Sequence, residues 1–282
     1  MRGRVLAIAG SDSGGGAGIQ ADIKSITALG GYAMTAVTAL TVQDTRGVHD
    51  VLPVPPAFVA AQMRAVLDDL GADAVKTGML GGAATIAAVA EVLAGRPAPL
   101  VLDPVMVAKG GHALLAEDAL GVLIERLLPR AALLTPNLPE AEALTGLAIA
   151  DADDMARAAA WLRARGAAAV LLKGGHLAGD VVTDLLATAD GVRAFRAPRI
   201  ATRHTHGTGC TLASAIATGL AQGMGLTDAV ARARGYVRAA IAAAPGFGAG
   251  HGPLDHTVTI DPTRVAALVA ALVAALRATA GS

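Results

Sequence analysis

Short continuous apolar runs, each closed by glycine or polar residues, alternate along the chain with segments whose apolar positions recur every three or four residues. Runs of the first kind read as buried strands and segments of the second as amphipathic helices. Val5 to Ala9 is the first run, and Gly10-Ser11-Asp12 closes it. Ile19, Ile23, Ile26 and Leu29 then share one helical face. Tyr32 to Gln43, rich in Thr, Val and Met, reads as a strand, and the turn ending at Gly47 leads into a second extended piece, Val48 to Val54. That pair predicts either a flap over a site or an edge for dimerisation. Phe58 to Leu70 reads as an amphipathic helix closed by Gly71.

From Ala74 the pattern becomes strand then helix, repeated. Ala74-Val75 leads into Lys76-Thr77-Gly78-Met79-Leu80 and a helix ending at Leu93. Leu100-Val101-Leu102 leads into Asp103-Pro104-Val105-Met106, with a loop to Gly111. Ala132-Leu133-Leu134 leads into Thr135-Pro136-Asn137-Leu138-Pro139-Glu140 and a helix over 140–145. The run from Ala168 to Leu172 leads into Lys173-Gly174-Gly175-His176. Asp180 to Ala187 and Val192 to Pro198 predict an antiparallel hairpin, and helices over 210–222, 226–243 and 262–277 close the chain. Without a linker or an internal repeat, the pattern predicts one α/β domain over residues 1–282. Three αβα layers with a mostly parallel central sheet and a small flap or edge hairpin are expected. In open sheets of this kind, ligands bind at the carboxyl ends of the strands. Those ends carry the polar and glycine-rich loops just named.

Composition narrows the function. The chain is 54% hydrophobic with only 2% aromatic residues, so its core is built from Ala, Val, Leu and Ile. A formal net charge of zero argues against nucleic acid or an anionic membrane as the main partner. No apolar run approaches the roughly 18–20 residues that span a bilayer. The apolar run after Met1-Arg2-Gly3-Arg4 reads as a first strand and not as a signal peptide. A single cysteine, Cys210, excludes an internal disulfide and suits a reducing cytosol. Positive charge is written mostly as arginine; the four lysines are Lys24, Lys76, Lys109 and Lys173. The last three stand close to glycines, where a compact ammonium is called for instead of a planar fork.

The chemistry centres on Thr205-His206-Gly207-Thr208-Gly209-Cys210, which runs directly into a helix. Unpaired N–H groups and the helix dipole make such a start an anion site. The helix position is also expected to lower the Cys210 thiol pKa. The alternative is a glycine-rich helix start with a buried cysteine. The first glycine loop, Gly10 to Gly18, does not match G-x-G-x-x-G, because Ile19 stands where the third glycine belongs. A Walker A loop is excluded, since no Gly-Lys dipeptide occurs. Phosphoryl transfer needs an anion cradle, a magnesium carboxylate, a cation for the phosphates and a base. Gly207 to Cys210 supply the cradle, Asp103 and Glu140 could hold magnesium through water, and Lys173 could meet the phosphates. A turn Asp before proline and a helix-capping Glu are the alternatives for the two carboxylates. His204, His206 and Cys210 meet no common zinc spacing.

With these stretches in order, the chain resembles the ribokinase superfamily, and closely its hydroxymethylpyrimidine/phosphomethylpyrimidine kinases of thiamin biosynthesis. The resemblance rests on Ala9-Gly10-Ser11-Asp12, Gly18-Ile19-Gln20-Ala21-Asp22, Lys76 to Leu80, Leu102 to Lys109, Thr135 to Glu142, Leu172 to His176 and Thr205 to Cys210. It implies transfer of phosphoryl from ATP, with magnesium, to the pyrimidine alcohol and then to its monophosphate. It also implies a homodimer. Carried over, Gln43 and Asp22 would bind the aminopyrimidine, with Gly10, Met79 and Val107 packed around it. Asn137 and Glu140 match the superfamily's magnesium-associated N-x-x-E. Gly207, Thr208 and Gly209 would form the anion hole, with Cys210 where sugar kinases carry an aspartate base. Nucleotide contacts would fall to Lys173, Gly175, His206, Thr208 and Gly252. The chain departs from the pattern at Ser13-Gly14, Asp44, Gly111-His112 and His204. A pyridoxal or pyridoxine kinase is the alternative on the same fold, and a non-catalytic pyrimidine-binding protein is the alternative from another class.

Overall fold

The computed structural model describes residues 3–107, 111, 114–116, 118–267 and 269–270. Lys109, Gly110, His112 and the end of the helix expected over 262–277 lie outside them; residues 262–267 are helical.

Within the described residues the strands are β1 (Arg4–Asp12), β2 (Tyr32–Gln43), β3 (Val48–Pro53), β4 (Ala74–Thr77), β5 (Leu100–Leu102), β6 (Ala131–Leu134), β7 (Val170–Leu172), β8 (Val181–Thr188) and β9 (Gly191–Pro198). They form one sheet in the order β3-β2-β1-β4-β5-β6-β7-β8-β9. Pairing is parallel from β2 to β7 and antiparallel for β2 with β3, β7 with β8 and β8 with β9. β1 lies between β2 and β4, so the chain reverses direction across the sheet at β1 and opens a crevice there.

Side chains on successive strand residues point to opposite faces, and the two faces bury different helices. Leu6, Ile8, Leu100, Leu102 and Leu134 pack with α2 (Pro56–Asp69), α3 (Ala83–Leu93) and α6 (Ala152–Ala164). Val5, Ala74, Val101, Leu133 and Leu171 pack with α1 (Gly18–Ala28), α7 (Thr208–Ala221) and α8 (Leu226–Ala242). The result is three layers of helix, sheet and helix. Each fully buried Leu or Ile contributes roughly 1.5–3 kcal/mol, and β1 supplies Leu6 and Ile8, neither of them exposed.

Two parts of the chain differ from the expectation. β1 continues through Gly10-Ser11-Asp12, because past a register shift Ser11 and Asp12 pair with Leu40 and Thr41. The helix α6 had no expected counterpart, although Asp151 caps it and Met155, Ala158, Ala159 and Leu162 are buried along one side. The remaining helices are short: α4 (Ala119–Val122), continued by irregular turns to Arg130, and α5 (Leu138–Thr145).

Candidate active site

The carboxyl ends of the parallel strands open into a cavity of about 790 Å³. Its lining follows the strand order along the sheet edge. Gly10, Thr41, Gln43 and Met79 come from the β2, β1 and β4 side, and Asp103, Glu140 and Lys173 from β5 to β7. Val182, Ile200, Val237 and Ile241 come from the β8 and α8 side. Gly207 to Cys210 also line it. α7 packs across β1, β4 and β5, which puts its first turn at this edge.

Gly207 is the N-cap of α7, with φ at 83°, a left-handed conformation that favours glycine. A Cβ there would also run into the Gly16 carbonyl. No side chain caps the helix; the Thr208 N–H reaches back to the Thr205 carbonyl at 3.4 Å, and the Gly209 and Cys210 N–H groups are left for a ligand. A Cβ on Gly209 would stand 3.4 Å from Lys173 Nζ and 3.5 Å from Asp103 Oδ2. The anion cradle therefore lies directly against the charged cluster.

That cluster holds two carboxylates and one ammonium. Lys173 Nζ donates to Asp103 Oδ1 at 3.1 Å and lies 3.8 Å from Glu140 Oε2. Thr135 Oγ1 donates to Asp103 Oδ1 at 3.0 Å. Asn137 and Glu140 form a reciprocal cap of α5. The Asn137 N–H donates to Glu140 Oε2 at 2.7 Å and the Glu140 N–H donates to Asn137 Oδ1 at 2.9 Å. The capping alternative for Glu140 is thus realised, and it holds the carboxylate facing Lys173. Burial, with the Asp103 charge adding to it and Lys173 opposing it, pushes the Glu140 carboxyl up to about 7. Two hard oxygen donors with an excess of negative charge suit magnesium held partly through water. Among the described residues no group of three or more His, Cys, Asp or Glu is placed to hold a metal, so solvent or phosphate oxygens would complete its shell.

Cys210 is half-buried, and the Gly18 N–H points at its sulfur. The expectation of a lowered thiol pKa does not hold. Burial, aided by the Asp22 and Asp103 charges, pushes the thiol up to about 11, against the pull of Lys76. Lys76 is fully buried and does not line the cavity. Its Nζ contacts Asp22 Oδ1 at 2.8 Å and Oδ2 at 3.0 Å, and neither side chain is exposed. Ser214 Oγ donates to Asp22 Oδ1 at 2.6 Å. Burial alone would lower the Lys76 pKa, but the facing Asp22 charge holds it above the ordinary lysine value.

Asp22, expected on the pyrimidine, is therefore sealed beneath the cavity wall and occupied by Lys76. Gly252 is also absent from the wall; its carbonyl accepts the His206 N–H at 3.2 Å and so braces the cradle loop from behind. Gly10, Gln43, Met79, Val107, Asp103, Asn137, Glu140, Lys173, Gly175, His206 and Gly207 to Cys210 all line the cavity. The sequence assigned no role to Asp12, Ser214 or Thr135, and marked Lys76 as a lysine near glycine at the head of a matching stretch, without a role of its own. Asp12 accepts the N–H groups of Gly14, Gly16 and Ala17 and pairs with His206 Nε2 at 2.9 Å. Alternation along β2 turns Thr41 and Gln43 toward the cavity, while Leu40 and Val42, with Leu52 of β3, are exposed on the other face.

A glycine-rich cradle at the switch point of a three-layer sheet, flanked by carboxylates and a lysine, defines a phosphotransferase of the ribokinase-like fold. Residues 12–255 match the phosphomethylpyrimidine kinase family, and the chain belongs to it. It is 54% identical over 252 residues to the hydroxymethylpyrimidine/phosphomethylpyrimidine kinase of Streptomyces coelicolor, covering 89% of this chain and 93% of that one. It is 56% identical over 265 residues to the thiamine biosynthesis bifunctional protein of Geobacter sulfurreducens. That match covers 93% of this chain but 54% of the longer protein, so the chain spans about half of it. In structure it is similar to a Bacillus subtilis pyridoxal kinase solved as an ADP complex, with a TM-score of 0.86 and 36% identity over 92% of this chain and 98% of the other.

Proposed function

We propose that the protein transfers phosphoryl from ATP to 4-amino-5-hydroxymethyl-2-methylpyrimidine and then to its monophosphate, giving the pyrophosphate for thiamin biosynthesis. The observation that carries this reading is the placement of the Gly207–Cys210 cradle between the charged Asp103–Lys173–Glu140 cluster and a ring pocket headed by Gln43. Asp103 and Glu140, fixed by Asn137, would hold magnesium, which supplies charge neutralisation on the phosphates when bound. Lys173 meets the phosphates as a point charge. The N–H groups of Gly207 to Cys210 stabilise negative charge that grows on the transferred group. Cys210 accepts the hydroxyl proton as a thiolate and becomes the thiol, and the Lys76 charge beneath it favours the thiolate that the step requires. Val182, Val237 and Ile241 offer an apolar bed for the nucleotide base, beside Gly175.

We place the homodimer on the outward face of β2 and β3, where Leu40, Val42 and Leu52 are 49%, 58% and 65% exposed. Among the described residues no helix is long and apolar enough to cross a membrane, and a single cysteine suits the reducing cytoplasm. A second reading, pyridoxal kinase, is favoured by the similarity to the Bacillus subtilis structure. ATP consumption with the aminopyrimidine, pyridoxal and ribose in parallel separates the readings. Turnover is expected with the aminopyrimidine, and pyridoxal turnover without it would overturn the proposal.

A further inference from the structure

The side-chain amide of Gln43 stands between two groups whose hydrogens are already committed. Thr41 Oγ1 is 2.8 Å from the Ser11 carbonyl and 3.0 Å from the Gln43 amide oxygen. At the other end, the amide nitrogen is 3.4 Å from His206 Nε2, which is itself 2.9 Å from Asp12 Oδ2. Burial would raise the Asp12 carboxyl, but the hydrogen bonds from His206, Ala17 and Gly14 hold it below the ordinary value. Asp12 is thus a carboxylate with no proton to give, so His206 Nε2 carries the hydrogen between them. Thr41 has one hydroxyl hydrogen, and the shorter contact assigns it to the Ser11 carbonyl, leaving only lone pairs toward Gln43. An amide with its nitrogen toward His206 then sets donor against donor. It also asks one hydroxyl hydrogen to serve two acceptors. A half-turn of the amide, which exchanges two groups of nearly equal shape, ends the opposition of two donors and lets the amide nitrogen donate to Thr41, while the amide oxygen shares the His206 hydrogen with Asp12 Oδ2.

We propose that Asp12–His206 on one side and Thr41–Ser11 on the other lock the Gln43 amide with its oxygen toward His206 and its nitrogen toward Thr41. His206 and Thr41 are then positioning residues that determine specificity. The lock leaves Gln43 with one N–H and one oxygen lone pair for a ligand, in fixed order. That edge matches a ring nitrogen acceptor next to an exocyclic amine. It opposes a ring N–H next to a carbonyl, as in the 4-oxo analogue of the same pyrimidine. An unlocked glutamine would serve either ring by turning over. The ring itself cannot reverse, because its hydroxymethyl group must reach the Cys210 cradle.

The proposal rests on the aminopyrimidine reading, and the test separates the two. Steady-state kcat/KM is measured with the 4-amino and the 4-oxo ring, together with KM for ATP. The wild-type protein is expected to prefer the amino ring by about a hundredfold or more, as sites built around a substrate hydrogen bond do. Thr41→Val and His206→Phe should each reduce that preference by about tenfold, the scale of one mismatched hydrogen bond. Thr41→Ser, which keeps the hydroxyl, should retain it. His206→Phe lies next to the cradle and will slow both rings, but the ratio between them does not depend on that loss. Thr41→Val tests the same lock away from the phosphates, with KM for ATP expected to stay within about twofold on the same reasoning. A preference unmoved in both variants, or lost equally in Thr41→Ser, overturns the lock while leaving the kinase reading intact. A wild-type protein that turns over neither ring overturns both.

Discussion

Two aspartate–lysine pairs lie within the same site and do different work. Asp22 and Lys76 meet at 2.8 Å with no exposure of either side chain, and Ser214 fills a further acceptor position on the carboxylate. Asp103 and Lys173 meet at 3.1 Å on the cavity wall, with Lys173 15% exposed and Glu140 close by as a second carboxylate. The first pair is balanced and closed to solvent, so it has nothing to offer a ligand. The second is one positive charge short, so it can take up a cation and still present an ammonium. The same two residue types thus make a support where the charges cancel and a working centre where they do not.

The sharpest way to break this comparison is to remove each lysine in turn. Lys76→Met leaves the Asp22 charge buried without its partner, and stranding one member of such a pair costs about 3–5 kcal/mol. Lys173→Met leaves its carboxylates at a cavity that water can enter, so a much smaller loss of stability is expected. Its loss should appear instead in kcat, by about a hundredfold or more, the scale of a deleted charge-stabilising donor. Denaturant unfolding and kcat, measured on both variants, give the split. Equal loss of stability in the two would show that the pairs are equivalent supports.

A second prediction concerns the thiol lying between the two pairs. Cys210→Ala should slow phosphorylation of the alcohol by about a hundredfold, the usual scale of a lost general base. An aspartate would carry charge into a site that must also accept a phosphate monoester. Unit charges 4 Å apart repel by about 4 kcal/mol at an effective dielectric of 20. Cys210→Asp should therefore keep part of the first step and lose nearly all of the second, read by single-turnover phosphorylation of each substrate. Equal slowing of both steps would show that charge selection is not the reason for a thiol.

The two pairs also differ in how far the sequence revealed them. Asp103, Glu140 and Lys173 follow apolar runs at strand ends, and parallel strands deliver such positions to one edge whatever the loops do. Gln43 was indicated by the family resemblance alone; alternation on β2 accounts for the face that it shares with Thr41. Asp22 was misplaced because a helix has a buried side that motif matching ignores. Asp22 stands four residues before Ile26, on the same face of α1, and both are fully buried. The Lys76 pairing was not legible before the fold was known, because its partner Asp22 lies 54 residues away along the chain and Ser214, which donates to Asp22, lies 192 residues from it. The Cys210 expectation failed on magnitude. A helix N-terminus favours the thiolate, but burial beside Asp22 and Asp103 outweighs it.

The smallest effect expected is also the one that reads the charge excess directly. Glu140 has its carboxyl raised from 4.5 to about 7, chiefly by burial. A carboxyl raised in the folded state binds more protons than the unfolded chain between those two values. Its contribution is therefore favourable below about 4.5 and is lost as pH rises through about 7. Glu140→Gln keeps an oxygen to accept the Asn137 N–H but cannot ionise, so its stability should lack this slope. The wild-type protein should lose stability relative to the variant as pH rises across that window. Magnesium should lessen the loss, since a cation favours the ionised carboxyl. The measurement is the urea midpoint of both proteins from acid to neutral pH, with and without magnesium. Parallel curves would mean that Lys173 already balances Glu140 and that the second pair is as closed as the first.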